Sequence, residues 1–171
     1  MRRVIDYAHL DIKNDWMDVF LLAACRFHLG SSGVFSVCGA FGVPVAMVNL
    51  APIGASLMYG SHDIDIPELV RSDKDDRLLT FREVLDSPIG NFRYTNLYEE
   101  AGVTLVDNSP EDIRDLAIEM MDRLEGKDIY TDEDEQLQEQ CKTLMKPGNW
   151  SYGGSSRIGR DFLHKYSNLL N

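Results

Sequence analysis

The pattern of apolar, small and polar residues is clearest in the stretch 27–49. An apolar run at 27–29 is followed by the glycine- and serine-rich residues 30–33, a segment of small and apolar residues at 34–41, and a β-rich run at 45–48. This order predicts a strand, a tight loop, a buried helix, a turn and a second strand. Such a β-α-β unit requires a parallel sheet.

The residues before this unit predict a first strand and a first helix. The apolar stretch 4–8 predicts a short strand. Asp15 has the character of a helix N-cap, with a second acid, Asp18, in the first turn. The helix that follows, 16–26, is apolar on almost every face, which is typical of a helix buried on a sheet.

Downstream patterns predict a second β-to-α step. Alternation at 64–66 predicts a short edge strand, the charged run 71–77 a solvated loop, and 103–106 another strand. Ser109 and the proline after it begin a helix that continues to a glycine at 126. Together with the central unit, this step predicts an α/β fold, a Rossmann-like, doubly wound parallel sheet in a three-layer α/β/α arrangement.

Three further helices are predicted, two from their first residues and one from the spacing of its apolar residues. Thr80, with a glutamate three residues later, has the pattern of a capping box, and Thr131 precedes a cluster of acids typical of a first turn. The apolar spacing in 157–170 predicts a final helix. We therefore expect one domain over residues 1–171, with a core in 1–126 and C-terminal helices in 127–171.

The composition of the chain argues against several classes of function. The chain has 171 residues and a net charge of −11, which argues against a nucleic-acid partner because such proteins present a basic face. The three cysteines have no paired spacing, which favours a reducing compartment and hence a cytoplasmic protein. No apolar run is long enough for a transmembrane segment.

The candidate chemistry lies at the loop Gly30, Ser31, Ser32 and Gly33. A loop of this composition before a helix presents unpaired backbone N–H groups, two hydroxyls and the positive end of the helix dipole. Such a site suits an anion, above all a phosphate. The alternative is a tight turn in which Ser31 or Ser32 only caps the helix.

The second predicted strand ends beside the same loop. In open parallel sheets, ligands bind beyond the carboxyl ends of the strands. Asn49, Pro52 and Gly54 are therefore expected to line one crevice with the loop 30–33. Asn49 is equally well explained as a turn residue that ends the strand.

Several common sites are not supported. The loop lacks the lysine of a P-loop, the GxGxxG of a dinucleotide site and the GxSxG of a hydrolase. The four histidines have no metal-ligand spacing. Asp63 and Asp65 fit a solvated strand face better than a metal pair. No metal is therefore expected, and no catalytic residue is assigned.

Five ordered segments resemble a family of bacterial surface-polysaccharide glycosyltransferases. The resemblance covers most of residues 4–125 and thins out beyond them. Its segments are DYA at 6–8, WMD at 16–18, the run 25–45, DRLLTFRE at 76–83 and GVTLVDNSPEDI at 102–113. The central run is also similar in plan to heptosyltransferase-type GT-B enzymes, which carry an Asp-Ser/Thr-Gly-x-x-His pattern. Here Ser31 stands in place of the aspartate and Ser36 in place of the histidine.

The resemblance implies a nucleotide-sugar donor as substrate, with its diphosphate on the loop 30–33 and Ser36 and no metal required. It also implies that this chain is the C-terminal donor-binding half of a GT-B enzyme. An N-terminal half or a partner chain would then carry the acceptor, and enzyme activity would depend on it. The alternatives are a non-catalytic module that binds a nucleotide or sugar phosphate, a truncated remnant, and a flavodoxin-like phospho-sugar or flavin binder.

Overall fold

The computed structural model describes residues 4–31, 33–56, 60–127 and 129–171. Within them lie the strands β1 (His28–Gly30), β2 (Val45–Leu50), β3 (Ile64–Pro67), β4 (Leu69–Ser72), β5 (Arg77–Leu78), β6 (Val103–Val106) and β7 (Arg157–Ile158). The α-helices are α1 (Asp15–Ala24), α2 (Phe35–Ala40), α3 (Phe81–Leu85), α4 (Thr95–Glu100), α5 (Pro110–Leu124), α6 (Asp132–Leu144) and α7 (Arg160–Lys165).

The main sheet has four parallel strands in the order β1-β2-β3-β7, flanked by helices. Because α2 connects β1 to the parallel strand β2, the predicted β-α-β unit is confirmed. The order follows the sequence, without the reversal that defines a doubly wound sheet among the strands described. The chain is therefore an α/β protein with a parallel sheet that contains the predicted β-α-β unit.

The second sheet is small, antiparallel and ordered β5-β4-β6. The prediction that 103–106 extends the parallel sheet is wrong, since β6 pairs antiparallel with β4. The cause lies in the short connection before β4. A single residue separates the end of β3 from the start of β4, and β4 belongs to a new sheet. The charged run 71–77 is likewise not a single loop: it contains the end of β4, a turn and the start of β5.

Side chains on β2 point alternately into two apolar clusters. Ala46 and Val48 join the larger cluster, which includes residues from β3, α5, α6 and α7. Val45 and Met47 join a smaller cluster with Cys38 of α2. Both faces of β2 are thus covered, which explains the nearly continuous apolar run of this strand.

Strand β3 lies inside the sheet, between β2 and β7, so its prediction as an edge strand is wrong. Asp65 is fully buried rather than on a solvated face, and Ser156 Oγ donates a 3.3 Å hydrogen bond to its Oδ1 atom. The neighbouring strand β7 comes from the far end of the chain. A local pattern therefore has no means of showing that both edges of β3 are paired.

The first residues form no strand within the described range, contrary to the prediction for 4–8. Tyr7–His9 form a 3-10 turn instead, and the Tyr7 hydroxyl donates a 2.6 Å hydrogen bond to Asp18 Oδ1. Helix α1 is capped by Asn14, not Asp15, because Asn14 Oδ1 accepts from Met17 N at 2.9 Å. No residue of α1 is buried, so its prediction as a buried helix is also wrong.

The capping box at Thr80 and the helix cap at Thr131 are confirmed. Thr131 also forms a full capping box with Asp134, and Ser109 forms another with Asp112. The predicted final helix is partly wrong, since 157–170 divides into β7, α7 and a 3-10 turn at Ser167–Leu170. None of the helices in the described ranges combines the length and the apolar character needed to cross a bilayer.

Candidate functional site

A cavity of about 320 Å³ lies at the carboxyl ends of β1 and β2. Four predicted site residues line it, namely Ser31, Gly33, Asn49 and Pro52. They come together because β1 and β2 are parallel neighbours, so the segments that leave both strands emerge at the same edge of the sheet. The remaining lining residues are Phe35, Met47, Leu50, Ala51, Ala55, Arg93 and Trp150.

Of the other predicted residues, Gly30, Ser36 and Gly54 are not among the lining residues of this cavity, so the prediction for Gly54 is wrong. Gly30 is the last residue of β1, and a Cβ there would lie 2.7 Å from His28 Nε2, so its small size makes room for that ring. The Ser36 hydroxyl donates to the Gly33 carbonyl at 2.8 Å and lines a different cavity, of about 340 Å³, before the amino ends of β2 and β3. Ser32 lies outside the described residues.

The helix after the loop begins later than expected. Val34 is its N-cap residue and makes no side-chain capping hydrogen bond, so Ser31 does not have the capping role of the alternative interpretation. Helix α2 has only six residues, and its dipole is correspondingly small. The short helix therefore contributes little positive charge to the cavity, and the lining residue Ser31 contributes a hydroxyl group.

Asn49 has a structural function in addition to its place in the cavity wall. Its φ angle is +49°, and it exchanges hydrogen bonds with Asn108: Asn49 N donates to Asn108 Oδ1 at 2.6 Å, and Asn108 N donates to Asn49 Oδ1 at 2.7 Å. Asn108 Nδ2 also donates to the Pro67 carbonyl at 2.8 Å. This pair joins the end of β2 to the turn between β6 and α5, and Asn49 is the penultimate residue of β2 rather than a turn residue beyond it.

Replacing Asn108 by alanine is expected to lower the free energy of unfolding by about 2 kcal/mol. The change leaves the Asn49 N–H and the Pro67 carbonyl without their partners at a buried position. Urea denaturation measures the effect. Asn96→Ala, which removes one exposed hydrogen bond to Glu100, is the control and should change stability by less than about 0.5 kcal/mol. Equal losses for both variants would contradict a special role of the Asn49–Asn108 pair.

Arg93 and Trp150 form one wall of the cavity. The sequence did not predict either of them as a site residue. The Arg93 guanidinium carbon lies 3.1 Å from the centroid of the Trp150 ring. No carboxylate among the described residues forms a salt bridge with Arg93, in a chain of net charge −11. The cavity thus has a cation and an aromatic face beside the glycine- and serine-rich loop.

Three loops hold this pair in place. Ser151 donates to the Gly54 carbonyl through both its backbone N–H (3.0 Å) and its hydroxyl (2.6 Å), which fixes the segment that carries Trp150. Gly54 in turn packs against the 3-10 turn Pro88–Asn91, just before Arg93. No local motif marks either residue as functional, because only the contacts among these loops bring them to the cavity.

The carboxyl group of Glu68, the residue between β3 and β4, has a raised pKa. Burial, with a further contribution from the adjacent Asp107 carboxylate, raises the pKa of Glu68 to about 7. The Glu68 N–H donates to the carbonyl of Leu50, a cavity-lining residue, at 3.1 Å. Burial and the charge of Glu68 also raise the pKa of Tyr98 to about 12. The backbone of Glu68 thus contacts the cavity wall, whereas its carboxyl group interacts with Asp107 and Tyr98, which do not line the cavity.

The described residues contain no group of three or more His, Cys, Asp or Glu side chains placed to hold a metal ion. Comparisons with protein-family models, with curated proteins and with solved structures each found no match to this chain.

Proposed function

We propose that the cavity at the carboxyl ends of β1 and β2 binds the diphosphate group and a ring of a nucleotide sugar. The observation that carries this proposal is the stacking of Arg93, which has no ion pair among the described residues, on Trp150 beside Ser31 and Gly33. Arginine donors and loop N–H groups suit phosphate oxygens, and an indole face suits a base or a sugar ring. The cavity volume lies at the lower end of the usual range for small-molecule sites, roughly 300–1,000 Å³.

The overall negative charge of the chain makes the binding of an anion depend on the donors within the cavity. A chain of net charge −11 does not attract an anionic ligand over long distances, so binding rests on local donors. Arg93 is well suited to this because it lies close to the loop and needs no release from an ion pair. We therefore expect modest affinity that falls as the salt concentration rises.

The chemistry proposed for this site is glycosyl transfer by the donor-binding half of a GT-B-like enzyme. Negative charge develops on the leaving diphosphate as the glycosyl bond breaks, and Arg93 with the loop N–H groups would stabilise it. In this proposal the sheet and its flanking helices form the three-layer, Rossmann-like C-terminal half. The resemblance of the segments between residues 6 and 113 to polysaccharide glycosyltransferases supports it.

A second candidate function is binding without turnover. The described lining residues of the cavity include no carboxylate, histidine or cysteine, so none of them is a general base. This favours either a non-catalytic nucleotide or sugar-phosphate module, or a domain whose base comes from another half or a partner chain. Both alternatives bind the same ligand as the first proposal. They differ from it in that this chain alone does not catalyse glycosyl transfer.

A thermal-shift screen against UDP, GDP, CMP, ADP, dTDP and their common sugars tests ligand binding. A ligand at about 100 times its dissociation constant should stabilise the chain by roughly 2.7 kcal/mol. Arg93→Ala is expected to weaken binding about 10- to 100-fold, since it removes charge-assisted hydrogen bonds. Trp150→Leu should weaken it as well.

Arg82→Ala is the matched control, because Arg82 is an exposed arginine on α3 that does not line the cavity. Its affinity should equal that of the unmodified chain. Equal affinity of the Arg93→Ala and Arg82→Ala variants would place the ligand elsewhere. Absence of any shift across the screen would contradict nucleotide binding by this chain.

A further inference from the structure

Two of the three cysteines belong to the same apolar cluster, although 12 residues separate them in the chain. Cys38 on α2 is fully buried in the smaller cluster. Cys25, which follows the last residue of α1, is partly buried and packs against the same cluster. Leu22 packs there as well, three residues before Cys25, so both side chains lie on the side of α1 that faces this cluster. The fold therefore brings together two thiols that have no paired spacing in the sequence.

The thiols of Cys25 and Cys38 also interact with each other. Burial, the charge of an ionised Cys25 and a hydrogen bond with the Cys25 thiol raise the pKa of Cys38. The Cys25 Sγ atom donates a 3.4 Å hydrogen bond to the Leu22 carbonyl, which orients its side chain at the end of α1. Cys38 is therefore a protonated thiol inside the cluster at neutral pH, and Cys25 is the member of the pair that a small solute reaches first.

The third cysteine, Cys141 on α6, has a different environment. It is buried in the larger apolar cluster, whereas Cys25 and Cys38 belong to the smaller one. Burial, with a further contribution from the charge of Asp65, raises the pKa of Cys141 to about 12. A thiol of this kind is inert towards oxidants, because the thiolate is the reactive form. Cys141 is therefore an internal control for the other two cysteines.

We propose that Cys25 and Cys38 are a reversible oxidation site, at which a hydroperoxide such as hydrogen peroxide converts the two thiols into one disulfide. The Cys25 thiolate attacks a peroxide oxygen, so that an S–O bond forms, the O–O bond breaks and the hydroxide leaves as water after protonation. The Cys38 sulfur then attacks the Cys25 sulfur. The S–S bond forms, the S–O bond breaks, and a second water leaves with the Cys38 proton. The two thiols lose two electrons, which reduce one peroxide to two waters.

A disulfide at this site closes a ring that contains the loop 30–33. Strand β1, this loop and the first half of α2 all lie between the two cysteines. Three lining residues of the cavity, Ser31, Gly33 and Phe35, are therefore inside the ring. The cross-link limits the movement of α2 away from the end of α1. It thus connects the oxidation state of the pair to the segment that borders the cavity, whatever ligand binds there.

Thiol counting on the folded chain tests this proposal. The chain is treated with hydrogen peroxide under native conditions, the excess is removed with catalase, and the remaining thiols are counted with Ellman's reagent in urea. The count should fall from three per chain to one, and dithiothreitol should restore it to three. After digestion with trypsin without reductant, the peptides 14–26 and 27–71 should appear as one cross-linked species, because cleavage after Arg26 separates the two cysteines.

Single cysteine variants assign the cross-link to its two members. Cys141→Ser is the matched control and should lose both of its remaining thiols, whereas Cys25→Ser should keep both, since Cys38 and Cys141 are buried. Cys38→Ser should form no cross-link, and dimedone should trap its Cys25 sulfenic acid. Circular dichroism verifies that the variants are folded.

Three results would overturn the proposal. The first is a count that stays at three after treatment of the unmodified chain, and the second is a cross-link to Cys141 in equal yield. The third is a disulfide between two chains as the main product, which non-reducing electrophoresis would show as a dimer. Because no nucleotide enters the experiment, its outcome is independent of the proposed function.

Discussion

Replacing Gly54 by alanine is expected to lower the free energy of unfolding by about 3 kcal/mol. A Cβ at this position would lie 2.4 Å from the Gly90 carbonyl oxygen and 2.7 Å from Asn91 Oδ1. The first of these contacts is with backbone, so a side-chain rotation does not relieve it. The two loops must separate, and buried contacts between them are lost.

The same variant should bind nucleotides less well. The Gly54 carbonyl accepts both hydrogen bonds that fix Ser151, the residue after Trp150. Displacing Gly54 therefore displaces the aromatic wall of the cavity. Urea denaturation measures the stability, and the thermal-shift screen measures the binding.

Gly33→Ala is the control for Gly54→Ala, because Gly33 lines the same cavity and a Cβ there meets no atom within 4 Å. Its stability should change by less than about 0.5 kcal/mol. A Gly54→Ala variant as stable as Gly33→Ala would show that the loops 52–55 and 88–91 separate at little cost. The role assigned to their close contact would then be wrong.

Replacing Glu68 by glutamine is expected to stabilise the protein above pH 7. A carboxyl group whose pKa rises from 4.5 to about 7 on folding contributes stability that is complete below pH 4.5 and is lost as the pH rises through 7. Glutamine stays neutral and can still donate a hydrogen bond to Asp107. After allowance for partial exposure to solvent, the gain at pH 8 should be about 2 kcal/mol, with little change near pH 5.

Melting temperatures from pH 5 to pH 8 test this prediction. Glu83→Gln is the control, and its effect on stability should have the opposite sign. Hydrogen bonds from Arg77 and the Thr80 N–H lower the pKa of Glu83 to about 2. The ionised form of Glu83 therefore stabilises the fold at neutral pH. That variant should melt lower, not higher, at pH 8. Equal pH profiles for the unmodified chain and Glu68→Gln would show that Glu68 titrates normally.

Local chemistry explains the part of the fold that the sequence predicts well. The β-α-β unit is recognisable because its strands, loop and helix are consecutive and each has its own period. The capping boxes at Thr80 and Thr131 depend on residues three apart, so a short window contains the whole signal. Four of the eight predicted site residues share a cavity because strand ends in a parallel sheet are fixed by that same unit.

The remaining features depend on contacts between distant residues. Asp65 alternates like a surface residue, and only the pairing with β7 buries it. Trp16 and Phe20 are apolar like core residues, and only the position of α1 leaves them exposed. Arg93 and Trp150 have no motif at all, since three loops from different parts of the chain bring them together.

The pairing of β3 with β7 also determines when this protein can fold during its synthesis. Ile64 pairs with Arg157, and residues as late as Leu170 belong to the larger apolar cluster. Until residues 157–170 have left the ribosome, one edge of β3 is unpaired and the larger apolar cluster is partly exposed to solvent. A nascent chain that lacks residues 157–170 therefore exposes an open strand edge and apolar surface, which is the condition in which chaperones bind and aggregation competes with folding.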